Sequence, residues 1–173
     1  RARADRVIGE ASRLEALTSD LLDFARSAPL RIESVDPKAV LAASIADVAE
    51  DGFVIDATSA PSTWQLDPSR IRQTLVNVLQ NARQASADER APEVRITQQA
   101  GKLVYEVRDF GPGLAPGTAD RIFDPFFTTR TNGTGLGLAV AKRAAEAHGG
   151  TLSARNHDGG GAVFRIELPR AAG

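Results

Sequence analysis

Apolar residues recur with a seven-residue spacing along the first 28 positions of the chain. They occupy two heptad positions, with Glu10 as the one exception: Val7, Leu14, Leu21 and Ala28 at the first, and Leu17 and Phe24 at the second. Such a seam is typical of a helix that packs along another helix at a shallow angle. Because the seam is narrow, we expect a helix whose partners lie partly outside the chain. The alternative is an N-terminal helix that folds onto its own domain.

Beyond Pro29 the pattern alternates between strand and helix periods. Short apolar runs predict strands near residues 31–33, 53–57, 63–66, 93–98, 103–108, 151–155 and 162–168. Asp36-Pro37 and Asp67-Pro68 each place a capping carboxylate before a proline at the first helical position, which predicts helices through about residues 50 and 87. A third helix is predicted over 136–148 and a short helical turn near 120–123. This order of elements indicates a mixed α/β domain.

Composition narrows the functional classes. At about 100–200 residues per domain, 173 residues allow one domain with an appendage. The chain has 21 Lys and Arg against 22 Asp and Glu, a balance that argues against a clamp on duplex DNA and against a polybasic membrane arm. It has no Cys and two His, which excludes thiolate sites and disfavours a multi-histidine metal centre. The lack of Met, even at position 1, predicts a piece of a longer protein.

Two asparagines stand four positions apart on the helix predicted to begin at Pro68. Asn77 and Asn81 therefore share a face, beside the apolar positions of the same helix. A carboxamide oxygen can ligate Mg²⁺ without adding negative charge next to phosphates. The structural alternative is two polar positions at the rim of a core.

Glycine is concentrated in the second half of the chain, where 13 of 15 lie from Gly101 onward. Asp109 ends a predicted strand and leads into Gly111-Pro112-Gly113. A carboxylate at a strand end, beside a turn that admits close backbone approach, suits recognition of a base amine. A plain turn is the alternative, since acidic residues before Gly and Pro commonly form turns.

A second glycine-rich segment, residues 133–137, leads into the helix predicted over 136–148. Backbone N–H groups at a helix N-terminus bind anions, which predicts a phosphate cradle. The segment lacks the Lys-Ser/Thr pair of a Walker loop and the spacing of a Rossmann fingerprint. Phe123, Phe126 and Phe127 lie just upstream, and core packing explains Phe123. The polar segment 128–132 resembles a flap whose hydroxyls and guanidinium meet phosphates.

Taken in order, four segments resemble one family. Residues 77–81, 109–113, 123–127 and 133–137 are similar to the N, G1, F and G2 boxes of the catalytic ATP-binding domain of bacterial sensor histidine kinases, within the GHKL superfamily. Residues 126–130 and 147–150 resemble the nitrogen-regulator type of these kinases. The resemblance covers about residues 30–169. It implies a two-layer α/β sandwich (the Bergerat-type ATP-binding fold), with a mixed sheet covered on one face by three helices and ATP beneath a flexible lid.

The resemblance also implies a division of the chain and a set of ligand-binding residues. Residues 1–29 would be the second helix of a dimerisation and phosphotransfer hairpin, and residues 30–170 the catalytic domain. Asn81 is similar to the Mg²⁺ ligand, and Asp109 to the acid that binds the adenine amine. Gln84 stands where some members have a phosphate-directed Lys, and whether Arg83 or Arg130 replaces that charge stays open. The implied ATP-binding residues are Asn77, Asn81, Gln84, Asp109, Gly111, Gly113, Leu114, Thr128, Thr129, Arg130, Thr134, Gly135, Leu136 and Gly137.

The activity implied is transfer of the ATP γ-phosphate to a histidine that this chain lacks. No His precedes His148, and neither His148 nor His157 lies on a heptad helix as an acceptor would. The alternatives are a nucleotide-binding regulatory module without transfer, or a GHKL-type ATPase. Most GHKL relatives that hydrolyse ATP, and also the serine-kinase and mitochondrial-type branches, resemble one another in carrying Glu where this chain has Asn77, which argues against hydrolysis.

The resemblance further implies the partners and the compartment. The full-length protein would form a homodimer through the helical hairpin and pass phosphate to a response-regulator receiver domain. We expect no nucleic-acid partner, and membrane association only through parts absent from this chain. The expected location is the cytoplasm, either free or as the cytoplasmic portion of a membrane-bound sensor.

Overall fold

The structure, a computed structural model, describes residues 18, 21, 29–48, 52–86, 90–129 and 133–170. The helix predicted over 1–28 therefore lies, apart from two positions, outside the described residues. The elements are β1 (Glu33–Val35), α1 (Pro37–Val48), β2 (Val54–Ser59), β3 (Trp64–Leu66), α2 (Pro68–Ser86), β4 (Glu93–Gln99), β5 (Lys102–Arg108), a 3₁₀ turn (Arg121–Phe123), α3 (Gly137–Ala147), β6 (Thr151–Asn156) and β7 (Ala162–Pro169).

Five strands form a mixed sheet in the order β2-β4-β5-β7-β6, and β1 pairs with β3 in a separate two-stranded sheet. β2 runs parallel to β4, while the other neighbours are antiparallel. Alternate residues of the central strands enter one core with the buried face of α2. That core includes Ile71, Leu75, Val78, Leu79 and Ala82 from α2, Leu103, Tyr105 and Val107 from β5, and Phe164 and Ile166 from β7. The predicted two-layer α/β sandwich with a mixed sheet is confirmed.

The two predicted Asp-Pro helix starts are confirmed in detail. The Lys38 N–H donates to Asp36 Oδ1 at 2.9 Å, and the Ser69 and Arg70 N–H groups donate to Asp67 Oδ1 at 3.1 Å each. Each carboxylate satisfies N–H groups that have no partner within the helix, which stabilises the first turn. The positions of α1 and α2 along the chain thus follow from local chemistry.

Two strand boundaries differ from the sequence prediction. β1 lies at Glu33–Val35 and not at 31–33, because it pairs with β3 in a register that places Val35 opposite the buried Trp64. β2 extends to Ser59, and its pairing with β4 shifts register between Asp56 and Ser59. In both cases the pairing partner sets the strand end, and it lies about 30 or more residues away.

The end of α3 gives His148 a structural role. Its Nδ1 lies 2.7 Å from the Ala144 carbonyl, and its Nε2 accepts a hydrogen bond of 3.0 Å from the Asp67 N–H. The ring is therefore a neutral imidazole that carries its proton on Nδ1. It joins the C-terminus of α3 to the start of α2. Gly149 follows with a positive φ of 69°, a common helix ending.

The sheet face opposite the helices carries paired charges. Arg165 donates to Glu167 at 2.8 Å and to Glu106 at 3.0 Å, and Lys102 lies 3.0 Å from Glu167. The hydrogen bonds that Glu167 accepts, first from Arg165 and then from Lys102, hold the pKa of its carboxyl below its usual range. This face is therefore a polar outer surface of the sandwich, and the candidate site lies elsewhere.

Candidate active site

The carboxylate of Asp109 is buried at the end of β5, with 3% of the residue exposed. Its Oδ1 accepts hydrogen bonds from the Gly111 and Ala162 N–H groups, both at 3.0 Å. Its Oδ2 accepts none from the residues that the structure describes. Because Oδ2 is not among the fully buried side-chain atoms that lack a partner, it keeps contact with solvent and is available to an external donor.

The loop after Asp109 presses against the C-terminal turn of α2. The Phe110 N–H donates to Ser86 Oγ at 3.0 Å, and Ser86 in turn donates to the Ala82 carbonyl at 2.8 Å. A Cβ at Gly111 would lie 2.5 Å from the Ala85 carbonyl oxygen, a distance that only glycine avoids. The glycine thus lets the loop backbone touch the helix.

The far end of the same loop is held by β6. Asn156 Oδ1 accepts from the Leu114 N–H at 2.6 Å, and Asn156 Nδ2 donates to the Leu114 carbonyl at 3.0 Å. Gly113 has a φ of +79°, and a Cβ there would lie 2.8 Å from Asn156 Oδ1. Leu114 itself is half-buried and packs against the core.

Asn77 connects α2 to the start of α3. Its Nδ2 donates to the Gly137 carbonyl at 2.9 Å, across 60 positions of sequence. Asn81 and Gln84 follow at helical spacing on the same side of α2, the first half-buried and the second exposed. The carboxamides predicted as site residues therefore share one face of the helix.

Two glycine loops meet α2, one at each end of this face. The base loop is residues 109–114, and the phosphate loop is residues 133–137. Gly137 contacts Asn77, and Gly111 contacts Ala85, eight residues further along the helix. At about 1.5 Å of rise per residue, the two contacts are separated by about 12 Å along the axis. Asn81 lies midway between them. The structure thus brings the predicted base loop, carboxamide helix and phosphate loop together around one stretch of α2.

The segment between the 3₁₀ turn and α3 is closed at its base. The Phe126 N–H donates to the Gly135 carbonyl at 3.0 Å, and a Cβ at Gly135 would lie 2.5 Å from the Phe126 carbonyl carbon. Phe126 has a φ of +67° and is 62% exposed, whereas Phe123 is in the core, as predicted. Phe126 and Gly135 therefore lie against each other, nine positions apart in the sequence.

The remaining predicted ligand residues are placed less uniformly. Thr128 and Thr129 are exposed, and Thr134 Oγ1 accepts from the Leu136 N–H at 3.3 Å. The Leu136 side chain is fully buried, so only its backbone is available for the predicted ligand contact. Arg130 lies outside the described residues.

The donor set suits Mg²⁺ held largely by phosphate and water. Among the described residues, no group of three or more His, Cys, Asp or Glu side chains is placed to hold a metal ion. Mg²⁺ commonly uses one or two protein oxygen ligands together with substrate phosphates and waters. A single carboxamide oxygen, as at Asn81, fits that pattern.

Comparison with known proteins agrees with this geometry. The model of the histidine kinase-, DNA gyrase B- and HSP90-like ATPases matches residues 66–172, which include α2, both glycine loops and α3. The chain belongs to this ATPase family. This chain is similar to the sensor histidine kinase ZraS of Klebsiella oxytoca, with 36% of positions identical over 167 residues. The match covers 92% of this chain and 36% of ZraS, so the chain spans about a third of the length of such relatives.

Two solved histidine kinases share the ATPase-family fold of this chain. Full-length ShkA in complex with AMPPNP has a TM-score of 0.74 and 31% identity, over 95% of this chain and 37% of ShkA. ThkA in complex with the response regulator TrrA has a TM-score of 0.79 and 25% identity, over 99% of this chain and 51% of ThkA. The family and the catalytic-domain fold predicted from the motifs are therefore confirmed.

Three residues that contact the base loop were not predicted from the sequence. Ser86, Asn156 and the backbone of Ala162 hold the base loop, but each lies 24 to 53 positions from the residue that it contacts. A serine and an asparagine at element ends also form ordinary caps and turns. No local pattern distinguishes these two from such residues.

Among the described residues, no helix combines the length and the apolarity that crossing a bilayer requires.

Proposed function

We propose that this chain binds Mg·ATP against α2 and acts as the catalytic domain of a sensor histidine kinase. In this proposal the γ-phosphate passes to a histidine outside the 173 residues. The observation that carries the proposal is the buried Asp109 carboxylate, with Oδ1 anchored by two backbone N–H groups and Oδ2 left for an external donor. The similarity to sensor histidine kinases across 92% of the chain supports it.

Base recognition follows from the geometry of Asp109. The 6-amino group of adenine is a donor, and a carboxylate oxygen is a strong acceptor for it. Gly111 and Gly113 let the loop backbone lie close against α2 and Asn156, which fixes the turn next to Asp109. We assign adenine to this end of the site, with Leu114 beside it.

Phosphates and the metal are assigned to the other end of the α2 face. Asn81 would ligate Mg²⁺, with Asn77 supporting it, and carboxamide oxygens add no negative charge beside the phosphates. When bound, Mg²⁺ neutralises part of the phosphate charge. The remaining phosphate contacts are assigned to Gln84 of α2, to the lid residues Thr128, Thr129 and Arg130, and to the cradle residues Thr134, Gly135, Leu136 and Gly137.

The chemistry of Asn77 favours a kinase over a hydrolase. Its Nδ2 donates to the Gly137 carbonyl, and a carboxamide does not accept a proton at neutral pH. The site therefore has no general base at this position to activate water. A neutral imidazole acceptor needs none, because its unprotonated nitrogen already carries a lone pair. Positioning and electrostatics then account for most of the transfer.

Neither histidine of the chain is suited to accept the phosphate. His148 uses both ring nitrogens in structural hydrogen bonds, and His157 Nδ1 accepts from the Gly159 N–H at 2.9 Å. We therefore place the acceptor on a helical hairpin, with residues 1–29 as its second helix and residues 30–170 as the catalytic domain. The hairpin would also form the homodimer of the full-length protein.

A response-regulator receiver domain is the proposed next acceptor. ThkA, which is similar to this chain, has been crystallised with the response regulator TrrA. We place this transfer, and the domain itself, in the cytoplasm.

The test uses the chain with labelled Mg·ATP, alone and with a histidine-bearing hairpin. We expect no acid-labile phosphate on the chain itself, transfer to the hairpin, and loss of transfer in Asn81→Ala. Arg95→Gln, on the polar outer face of the sheet, is the matched control. Acid-labile phosphate on the chain would overturn the placement of the acceptor. Steady ATP turnover without acceptor would favour a GHKL-type ATPase, and binding without transfer a regulatory module.

A further inference from the structure

One side chain binds both backbone polar groups of a single residue in the base loop. Asn156 Oδ1 accepts from the Leu114 N–H and Asn156 Nδ2 donates to the Leu114 carbonyl, at 2.6 and 3.0 Å. Only a carboxamide offers an acceptor and a donor side by side in this way. Aspartate would supply two acceptors, and serine would reach one group at most.

The same strand position is linked to the other end of the loop. Asn156 pairs with Ala162 across β6 and β7. Ala162 accepts from the Asp109 N–H at 2.9 Å and donates its own N–H to Asp109 Oδ1 at 3.0 Å. The cross-strand pair of Asn156 and Ala162 therefore binds both Asp109 and Leu114, the residues on either side of the Gly111–Gly113 turn.

The middle of the loop contacts the same side chain. A Cβ at Gly113 would lie 2.8 Å from Asn156 Oδ1, so the backbone of the turn lies directly on the carboxamide. Ser86 holds Phe110 from the opposite side, through the 3.0 Å hydrogen bond to Oγ. Without Asn156, the loop would remain attached at its start and lose its attachment at its end.

We infer that Asn156 is a positioning residue for adenine recognition. It sets the distance between the turn that borders the base and the free oxygen of Asp109, and it makes no contact with nucleotide itself. This inference rests on the proposed assignment of the base to Asp109. A displaced turn would misalign the base and leave the phosphate contacts on α2 and α3 in place. The loss therefore falls on discrimination between bases.

The test compares Asn156→Ala, Asn156→Asp and the control Ser153→Ala, an exposed position on the same strand. Calorimetric titration with Mg·ATP and Mg·GTP is done at a temperature where thermal denaturation shows each variant to be folded. Asn156→Ala loses the two hydrogen bonds that order the turn before nucleotide binds, so the cost of ordering the turn falls on the binding step. We therefore expect ATP binding to weaken about 10-fold, and the ATP-to-GTP affinity ratio to fall by a similar factor. Ser153→Ala should retain the wild-type ratio.

Hydrogen exchange at the Leu114 amide supplies a readout independent of nucleotide. We expect faster exchange in Asn156→Ala and retained protection in Asn156→Asp, which keeps the acceptor oxygen but faces the Leu114 carbonyl with a second acceptor. A lower melting temperature with an unchanged ATP-to-GTP ratio would overturn the inference, since it would show a structural role alone. Failure of the wild-type chain to bind either nucleotide would instead refute the proposed function, and the inference with it.

Discussion

Replacing Asp109 by asparagine changes one oxygen at the end of β5 and preserves the other. The amide oxygen can accept from the Gly111 and Ala162 N–H groups as Oδ1 does, which fixes the orientation of the new side chain. The amide NH₂ then occupies the place of Oδ2. In the proposed complex, a group that accepts a hydrogen bond from the base amine would thus be replaced by one that donates.

The magnitude follows from the type of hydrogen bond that is lost. A hydrogen bond to a charged group contributes about 1.5–3 kcal/mol. Since about 1.4 kcal/mol corresponds to a factor of ten, we expect ATP to bind at least about 10- to 100-fold more weakly. A guanine base carries a carbonyl where adenine carries the amine, so the preference for ATP over GTP should fall by more than the overall affinity.

Asp109→Ala separates anchoring from recognition. It removes both hydrogen bonds and leaves the N–H groups of Gly111 and Ala162 without their acceptor, at about 1–3 kcal/mol for each group that stays buried. Asp109→Asn keeps them and should melt close to the wild type.

The assay is calorimetric titration with ATP and GTP, together with denaturant unfolding of both variants. Wild-type ATP affinity in Asp109→Asn would refute the assignment of the base amine to this carboxylate. Equal loss of stability in the two variants would refute the anchoring role of Oδ1.

Three further predictions concern stability. Gly161→Ala should destabilise the fold more than Gly160→Ala: both glycines have positive φ, but only a Cβ at Gly161 meets the carbonyl of the strand-end aspartate; equal unfolding free energies would contradict this. Burial raises the pKa of Tyr105, the chain's single tyrosine, so the free energy of unfolding should fall above about pH 10 by up to about 1.4 kcal/mol per pH unit. This slope should vanish in Tyr105→Phe when unfolding is measured against pH. Because Arg165 lowers the pKa of Glu167, this carboxylate stabilises the fold above its usual pKa of about 4.3 and ceases to do so as pH falls through the lowered value, and Glu167→Gln should flatten the acid side of the stability profile.

Local chemistry explains which elements the sequence predicts well. The starts of α1 and α2 were predicted from Asp36-Pro37 and Asp67-Pro68, because a cap and its N–H partners lie within three residues of each other. The short gap between the strands predicted over 93–98 and 103–108 is likewise a tight two-residue turn, in which Ala100 and Gly101 both have positive φ. β1 was misplaced by two residues, since its ends depend on pairing with a strand 30 positions away.

The site divides along the same line. Residue types and motif order indicated Asn77, Asp109 and the glycine loops, and similarity to known histidine kinases confirmed the family to which those motifs belong. Ser86 and Asn156 carry no such signal. They are ordinary residues at the ends of elements, and their contacts with the base loop exist only in the folded domain.

The sequence by itself determined the order of helices and strands, the helix caps, the exclusion of thiol chemistry, and the residue types of an ATP site. The tertiary structure decided which of these residues meet. Asn77 reaches Gly137 across 60 positions, and Ala162 reaches Asp109 across 53, because the sheet order and register bring them together. Periodicity reports only which face of an element is buried, whereas a hydrogen bond between distant residues depends on how the elements pack.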